Sequence, residues 1–254
     1  MPKILNKNML KIVFIRHGQS AWNDPSRFTG WADIALSPLG KEESALAAVT
    51  LKKSKYSFDE VFQSELKRAE DTTKIILIGM KHKRILVKSD WRLNERHYGN
   101  LQGLNKAEIR AKFGEKQFML WRRGYSVRPP KINKSNSTYK DIYSNPVYKD
   151  IKIPLAESLA DVVKRVIPFW KEAIIPGLKT GKKILISASG NSLRAIIKYL
   201  DKVSAKEIVA LNIPTGIPLV YELDKNFKPI RHYYLGNQKK IAAAIEKVKN
   251  QGKK

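Results

Sequence analysis

The chain reads as a single α/β domain, a mixed and mostly parallel sheet flanked by helices. Three observations predict this. Short β-branched apolar runs alternate with longer segments at helical spacing. The first such run stops at a polar loop that leads into a well-capped helix, which is the order of a βα unit. At 254 residues one large domain with a substantial core is favoured over two small ones.

The elements follow in order. Residues 1–9 form an N-terminal extension, and the domain proper spans 10–238. The first strand is Lys11 to Ile15. Ser37 with Pro38 offers an N-cap and a first-turn proline for the helix that follows. Asp59 to Phe62 is a second strand. Ser64 is read as the cap of a helix whose Leu66, Ala69, Thr73, Ile76 and Leu77 share one face. Arg84 to Lys88 is a third strand. Asn105 and Glu108 have capping-box spacing ahead of a helix ending in Phe118, Trp121 and Arg122-Arg123. Residues 124–149 show no period and read as a long loop, with a lid over a basic pocket as one use for it. Leu159, Val162, Val163, Val166 and Trp170 mark an amphipathic helix that Pro168 should kink. Lys183 to Ser187 is the strand of the strongest βα unit, with Ser189-Gly190-Asn191 as its turn and Ser192 to Leu200 as its helix. Ser204 and Glu207 cap a further helix, and Ile217 to Leu223 with His232 to Leu235 close the sheet. Residues 239–254 read as a basic helical tail with a frayed end.

Composition narrows function. With 43% hydrophobic and 28% charged residues the chain is ordinary for a globular protein, and no apolar run nears the ~20 residues of a membrane span. The start lacks a cleavable signal pattern, so a cytoplasmic location is the default expectation. The absence of cysteine excludes disulfides, thiolate catalysis and zinc-thiolate sites. The net charge of +26 sets up a field that draws anions, which suits phosphorylated substrates. Nucleic acid is disfavoured as a partner, because no basic run is interleaved with stacking aromatics; the tail's six lysines against the single acid Glu246 read as a solvated face.

The chemistry centres on Arg16-His17-Gly18 at the end of the first strand. A neutral imidazole there is a competent nucleophile toward phosphorus, and a neighbouring arginine neutralises phosphoryl oxygens. The tripeptide alone is weak, but the match is long. LKIVFIRHGQSAWN is followed by Phe28-Thr29-Gly30-Trp31, by Ser64, Leu66, Arg68-Ala69 and Thr72, and by Trp91 to Gly99 with Leu101 to Lys106. Asn212 to Pro218 and Val220 to Asp224 extend it to nearly the whole domain. This text resembles the histidine phosphatase superfamily, and in particular the cofactor-dependent phosphoglycerate mutases. The resemblance implies interconversion of 3-phosphoglycerate and 2-phosphoglycerate through phospho-His17, primed by 2,3-bisphosphoglycerate, with no metal. It implies Glu95 as general acid and base. It implies Arg16, Ser20, Asn23, Thr29, Gly30, Arg68, Arg96, Tyr98, Lys106, Arg122, Arg123, Gly190 and Asn191 around the substrate's phosphate and carboxylate, and a homodimer or homotetramer. Taken alone, Arg68 would be a solvated helix arginine and Glu95 half of a surface ion pair. His97 is read as structural.

One position departs from the family. Its text Ala-His-Gly-Asn-Ser-Leu-Arg is here Ala188-Ser189-Gly190-Asn191-Ser192-Leu193-Arg194, so Ser189 stands where the second catalytic histidine is expected. Losing one preorganised donor costs ~100 to 1,000-fold in turnover. A paralogue that has lost catalysis, an engineered variant, and an enzyme using Ser189 with a water or arginine are all compatible with this. The competing functions are a non-catalytic phosphoglycerate binder, and a bisphosphoglycerate synthase or phosphatase.

Overall fold

The computed structural model describes residues 9–251 apart from 24 and 83; the expected N-terminal extension, apart from its last residue, and the last three residues of the tail lie outside them. Six strands form one sheet in the order β3-β2-β4-β1-β5-β6. They are β1 (Leu10–Arg16), β2 (Glu60–Gln63), β3 (Leu86–Ser89), β4 (Ile184–Ala188), β5 (Leu219–Leu223) and β6 (Pro229–Tyr234). The four strands from β3 to β1 run parallel, and β5 and β6 add antiparallel pairs. Alternation along β1 shows why the sheet is covered twice. Ile12 and Phe14 face one core with α5 (Leu159–Phe169) and α7 (Gly190–Leu200). Val13 and Ile15 face another with α1 (Pro38–Lys53) and α2 (Lys67–Gly79).

Two helix starts follow the sequence, at α1 and α3, while α7 begins at Gly190, two residues before the expected Ser192, and α2 differs in its cap. Ser37 caps α1 by accepting from the Gly40 amide, and Asn105 caps α3 (Lys106–Arg123) through its side-chain oxygen. The N-cap of α2 is Leu66, not Ser64. Two distant side chains take the amides instead: Asp33 accepts from Lys67 at 2.7 Å and Asn94 from Glu65 at 3.0 Å. Tertiary caps of this kind leave no local pattern to read.

Pro168, where the sequence predicts a kink, lies inside α5, next to its last residue. Pro168 has no amide to donate, and the chain runs into a π turn over Trp170–Ile174 before α6 (Ile175–Lys179). Ser204 and Glu207 do exchange side-chain and backbone bonds, yet the helix they open is a single 3-10 turn, Glu207–Ala210. The turn ends at Leu211, whose backbone is extended at φ −69° and ψ 119°.

Residues 124–149 are more ordered than their composition suggests. They hold α4 (Tyr139–Tyr143) and a 3-10 turn at Pro146–Tyr148, and Ile142 and Tyr148 pack on buried Trp31. The segment is tied down by side-chain bonds, such as Asn136 to the carbonyls of Asn100 and Gln102, which a hydrophobic period does not report. The basic tail forms α8 (Gln238–Asn250), anchored through buried Ile241 and Val248.

Candidate active site

The carboxyl ends of the parallel strands converge on one crevice, where open α/β sheets bind ligands. The end of β1 brings Arg16 and, directly after it, His17, and the first turn of α7 brings Gly190 and Asn191. The remaining walls come from Asn23, Thr29 and Gly30, Arg68 of α2, Glu95 and Tyr98, and Lys106, Arg122 and Arg123 of α3. These thirteen residues, scattered over 176 positions of chain, are all ones singled out from the sequence.

The backbone fixes His17 closely. The Gly18 amide donates to Thr72 Oγ1 at 3.0 Å, and a Cβ on Gly18 would sit 2.2 Å from the Gly40 carbonyl oxygen, so only glycine fits. His17 Nδ1 lies 2.7 Å from the Gly18 carbonyl, and Arg68 Nε donates to His17 Nε2 at 3.1 Å. That pair of contacts selects the Nδ1–H tautomer with the lone pair on Nε2. Burial, then the Arg68 and Arg16 guanidinium groups, push the imidazole well below its ordinary range against the Gly18 hydrogen bond. His17 is therefore neutral and nucleophilic. Arg68 is itself fully buried, held by the carbonyls of Ala32 and Gly30.

Glu95 faces His17 across the crevice. Its Oε1 accepts from the Arg96 amide at 2.7 Å and from Asn191 Nδ2 at 2.6 Å. Its carbonyl accepts from Trp31 Nε1 and Arg165 Nη2. Arg165 is in turn locked in a buried pair with Glu157 at 2.7 Å, and Glu157 also accepts from the His97 amide. Neither Arg165 nor Glu157 was legible as site architecture, because their significance lies entirely in what they hold.

Cations crowd the other wall. Burial, then Arg122, Arg16 and Arg123, bring the Lys106 ammonium down to about 7. Among the described residues Glu95 is the one carboxylate that lines the crevice against these cations, which is the electrostatic shape of an anion site.

Three residues expected at the substrate stand elsewhere. Arg96 is fully buried behind the wall, its guanidinium on the carbonyls of Trp121 and Arg122 and over the Tyr98 ring. Ser20 and Ser189 are fully buried beside the crevice rather than lining it, and each hydroxyl lacks a partner among the described residues. His97 is buried, and burial followed by Arg165 holds it down at about 3. The residues not foreseen are Arg27, Arg194 and the end of α8. Val248 and Gln251 line the crevice, and the Val248 carbonyl accepts from Arg122 at 3.0 Å and Arg123 at 3.4 Å. Among the described residues the tail, and not the 124–149 segment, contributes to the lining.

Comparison with known proteins accords with this geometry. The chain is 50% identical over 248 residues to the 2,3-bisphosphoglycerate-dependent phosphoglycerate mutase of Borreliella burgdorferi strain B31, covering 96% of this chain and 99% of that one. Among solved structures, a mycobacterial glucosyl-3-phosphoglycerate phosphatase superposes with a TM-score of 0.67 at 24% identity, covering 89% of this chain and 97% of that one. The α-ribazole phosphatase of Shigella flexneri does so at 0.63 and 20%, covering 90% and 96%; both likenesses concern the fold. The model of the histidine phosphatase superfamily, branch 1, matches residues 12–234, and with the strand-end histidine and its arginines in place, the chain belongs to that superfamily.

Proposed function

We propose that this chain is a 2,3-bisphosphoglycerate-dependent phosphoglycerate mutase whose phosphoryl-transfer step is slowed by Ser189. The observation that carries the reading is the neutral His17, its Nε2 lone pair held by Arg68 in a crevice of buried cations opposite Glu95.

When bound, 2,3-bisphosphoglycerate supplies the phosphoryl group that primes His17. The crevice suits so anionic a ligand: beyond its cations, Arg16, which lines it, carries a buried Nε without a partner among the described residues, which an anion's oxygens would satisfy. In transfer, His17 Nε2 bonds to phosphorus as the substrate's P–O bond breaks, while Arg16 and Arg68 take the charge on the phosphoryl oxygens. Glu95 returns a proton to the departing hydroxyl and later withdraws one from the hydroxyl that receives the group. Asn23, Thr29, Gly30, Tyr98, Lys106, Arg122, Arg123 and Gly190 hold the remaining phosphate and carboxylate. Ser189 offers only a short neutral donor where the family has an imidazole.

The reading includes a cytoplasmic, homo-oligomeric enzyme, dimer or tetramer. β3 is an edge strand with Leu86 and Val87 exposed, and light scattering in solution tests the assembly.

The unpartnered Ser189 hydroxyl favours one second reading, a phosphoglycerate binder without turnover. Coupling 3-phosphoglycerate conversion to enolase, with and without 2,3-bisphosphoglycerate, separates the two. Turnover in the parent supports the mutase. Turnover only in Ser189→His means a complete site with its chemistry disabled, and none in either, with tight binding, supports the binder. Release of inorganic phosphate or accumulation of bisphosphoglycerate as the main product would point to the phosphatase or synthase instead.

A further inference from the structure

Arg194 is almost fully buried, lies one turn into α7, and carries no assigned role in the chemistry above. Its two terminal nitrogens donate to three groups, while Nε has no partner among the described residues. Nη1 donates to Asn191 Oδ1 at 2.7 Å, and Nη2 to the carbonyl of Ile208 at 2.6 Å and that of Arg123 at 3.3 Å. The first contact matters for Glu95. A primary carboxamide has one accepting end and one donating end, so a guanidinium on Oδ1 obliges Nδ2 to face the other way. That is where Glu95 Oε1 lies at 2.6 Å, with the Tyr98 hydroxyl at 3.1 Å. The reversed amide would set a carbonyl oxygen against the carboxylate, which repels it and favours its protonated form.

We propose that Arg194 is a positioning residue for Glu95, fixing the Asn191 carboxamide so that its NH2 group donates to the carboxylate that moves protons. The bonds to Ile208 and Arg123 make the fork rigid, since they tie α7 to the end of α3 and to the turn at Glu207–Ala210. The inference rests on the reading of Glu95 as general acid and base, though the geometry of the relay does not.

Other charges also face Glu95: Arg16 from β1, Arg68 from α2, Tyr98 from its own loop, Lys106 from α3 and Arg194 itself. Removing Arg194 thus acts on Glu95 both through Asn191 and through space, and a double-mutant cycle separates the routes. The full chain is labelled with 13C at glutamate carboxyls, the Glu95 signal is assigned by its loss in Glu95→Gln, and its titration midpoint is followed in the parent, Arg194→Met, Asn191→Ala and the double variant.

Loss of either side chain alone should raise the midpoint by about one pH unit. In the Asn191→Ala background, Arg194→Met should add no more than a few tenths, the through-space part. An equal shift in both backgrounds would overturn the proposal. Arg194→Lys keeps the charge but cannot span Asn191 and Ile208 together, so it too should raise the midpoint by roughly half a unit or more; a folded Lys variant with an unmoved midpoint counts against the relay even if the Met variant does not fold. In a Ser189→His background, Arg194→Lys should move the acid limb of kcat upward with KM within about threefold. A KM raised about tenfold with the limb unmoved would make Arg194 a direct anion ligand and sink the idea. The NMR titration reports on Glu95 whether or not the chain turns over phosphoglycerate, so a failed mutase reading would show as missing turnover with the titration shifts intact.

Discussion

Lys106 should take up a proton when an anion enters the crevice. It is 8% exposed and crowded by Arg122, Arg16 and Arg123, which with burial bring it to about 7. At pH 8.5 it is then only about 3% protonated, and a bound phosphate that restores its ordinary value near 10.5 would protonate it almost fully. Binding should therefore absorb about one proton, while phosphoglycerate itself is already fully ionised at that pH. Calorimetry of 3-phosphoglycerate binding at pH 8.5 in buffers of different ionisation enthalpy reads this directly, as the slope of observed enthalpy against buffer enthalpy. Lys106→Met should flatten the slope and weaken binding by roughly tenfold or more. A flat slope in the parent, or an unchanged slope in the variant, would refute the electrostatic account of the crevice. The same shift has a consequence for stability. Between about 7 and 10.5 the unfolded chain holds more protons at this site than the folded one, so the contribution of Lys106 makes stability rise with pH across that window.

Three further outcomes are expected. Glu157→Gln leaves Arg165 buried without its charge partner, and should lower unfolding free energy by about 3 kcal/mol in denaturant titration; a loss under 1 kcal/mol would mean that the pair does not brace Glu95. Truncation after Lys247 removes the carbonyl that occupies Arg122 and Arg123 and opens the crevice to water, so phospho-His17 should hydrolyse about tenfold faster, as measured by loss of the label from 32P-phosphoenzyme. Turnover should be unaffected by EDTA, since the proposed transfer is driven by arginines and His17, and inhibition reversed by added metal would overturn that mechanism.

How much of this was legible follows from the physics of each signal. β1, β4 and α7 announce themselves through local periodicity, and the caps at Ser37 and Asn105 act on amides two or three residues away. α2 is capped by Asp33 and Asn94, so its start is a property of the folded chain. The 124–149 segment misled because its order comes from side-chain bonds and a stacked Tyr139–Tyr143 pair 4.4 Å apart, neither of which has a hydrophobic period. The crevice residues were legible as long text resembling a family, and the structure brings thirteen of them together. What that text does not carry is direction: Arg96 reads the same as Arg68 on the page, yet one turns to backbone carbonyls behind the wall and the other to His17.

The Ser189 side chain does no structural duty, which makes it separable from the fold. The residue is the N-cap of α7 with an extended backbone at φ −88° and ψ 163°, a conformation open to any residue, and its hydroxyl caps nothing. Its carbonyl accepts from the Leu193 amide, a bond independent of the side chain. The groups proposed to hold the anion belong to other elements: Arg16 to β1, Arg68 to α2, and Lys106, Arg122 and Arg123 to α3. Affinity and chemistry should therefore part company at this position. Ser189→Ala should change stability by less than about 1 kcal/mol and leave phosphoglycerate affinity nearly unaltered. Ser189→His should raise kcat by about 100-fold or more with KM within about threefold, the pattern of a donor felt chiefly in the transition state. If the histidine instead raised affinity in proportion and left kcat unchanged, position 189 would be a ground-state anion ligand, and slow phosphoryl transfer would need another cause.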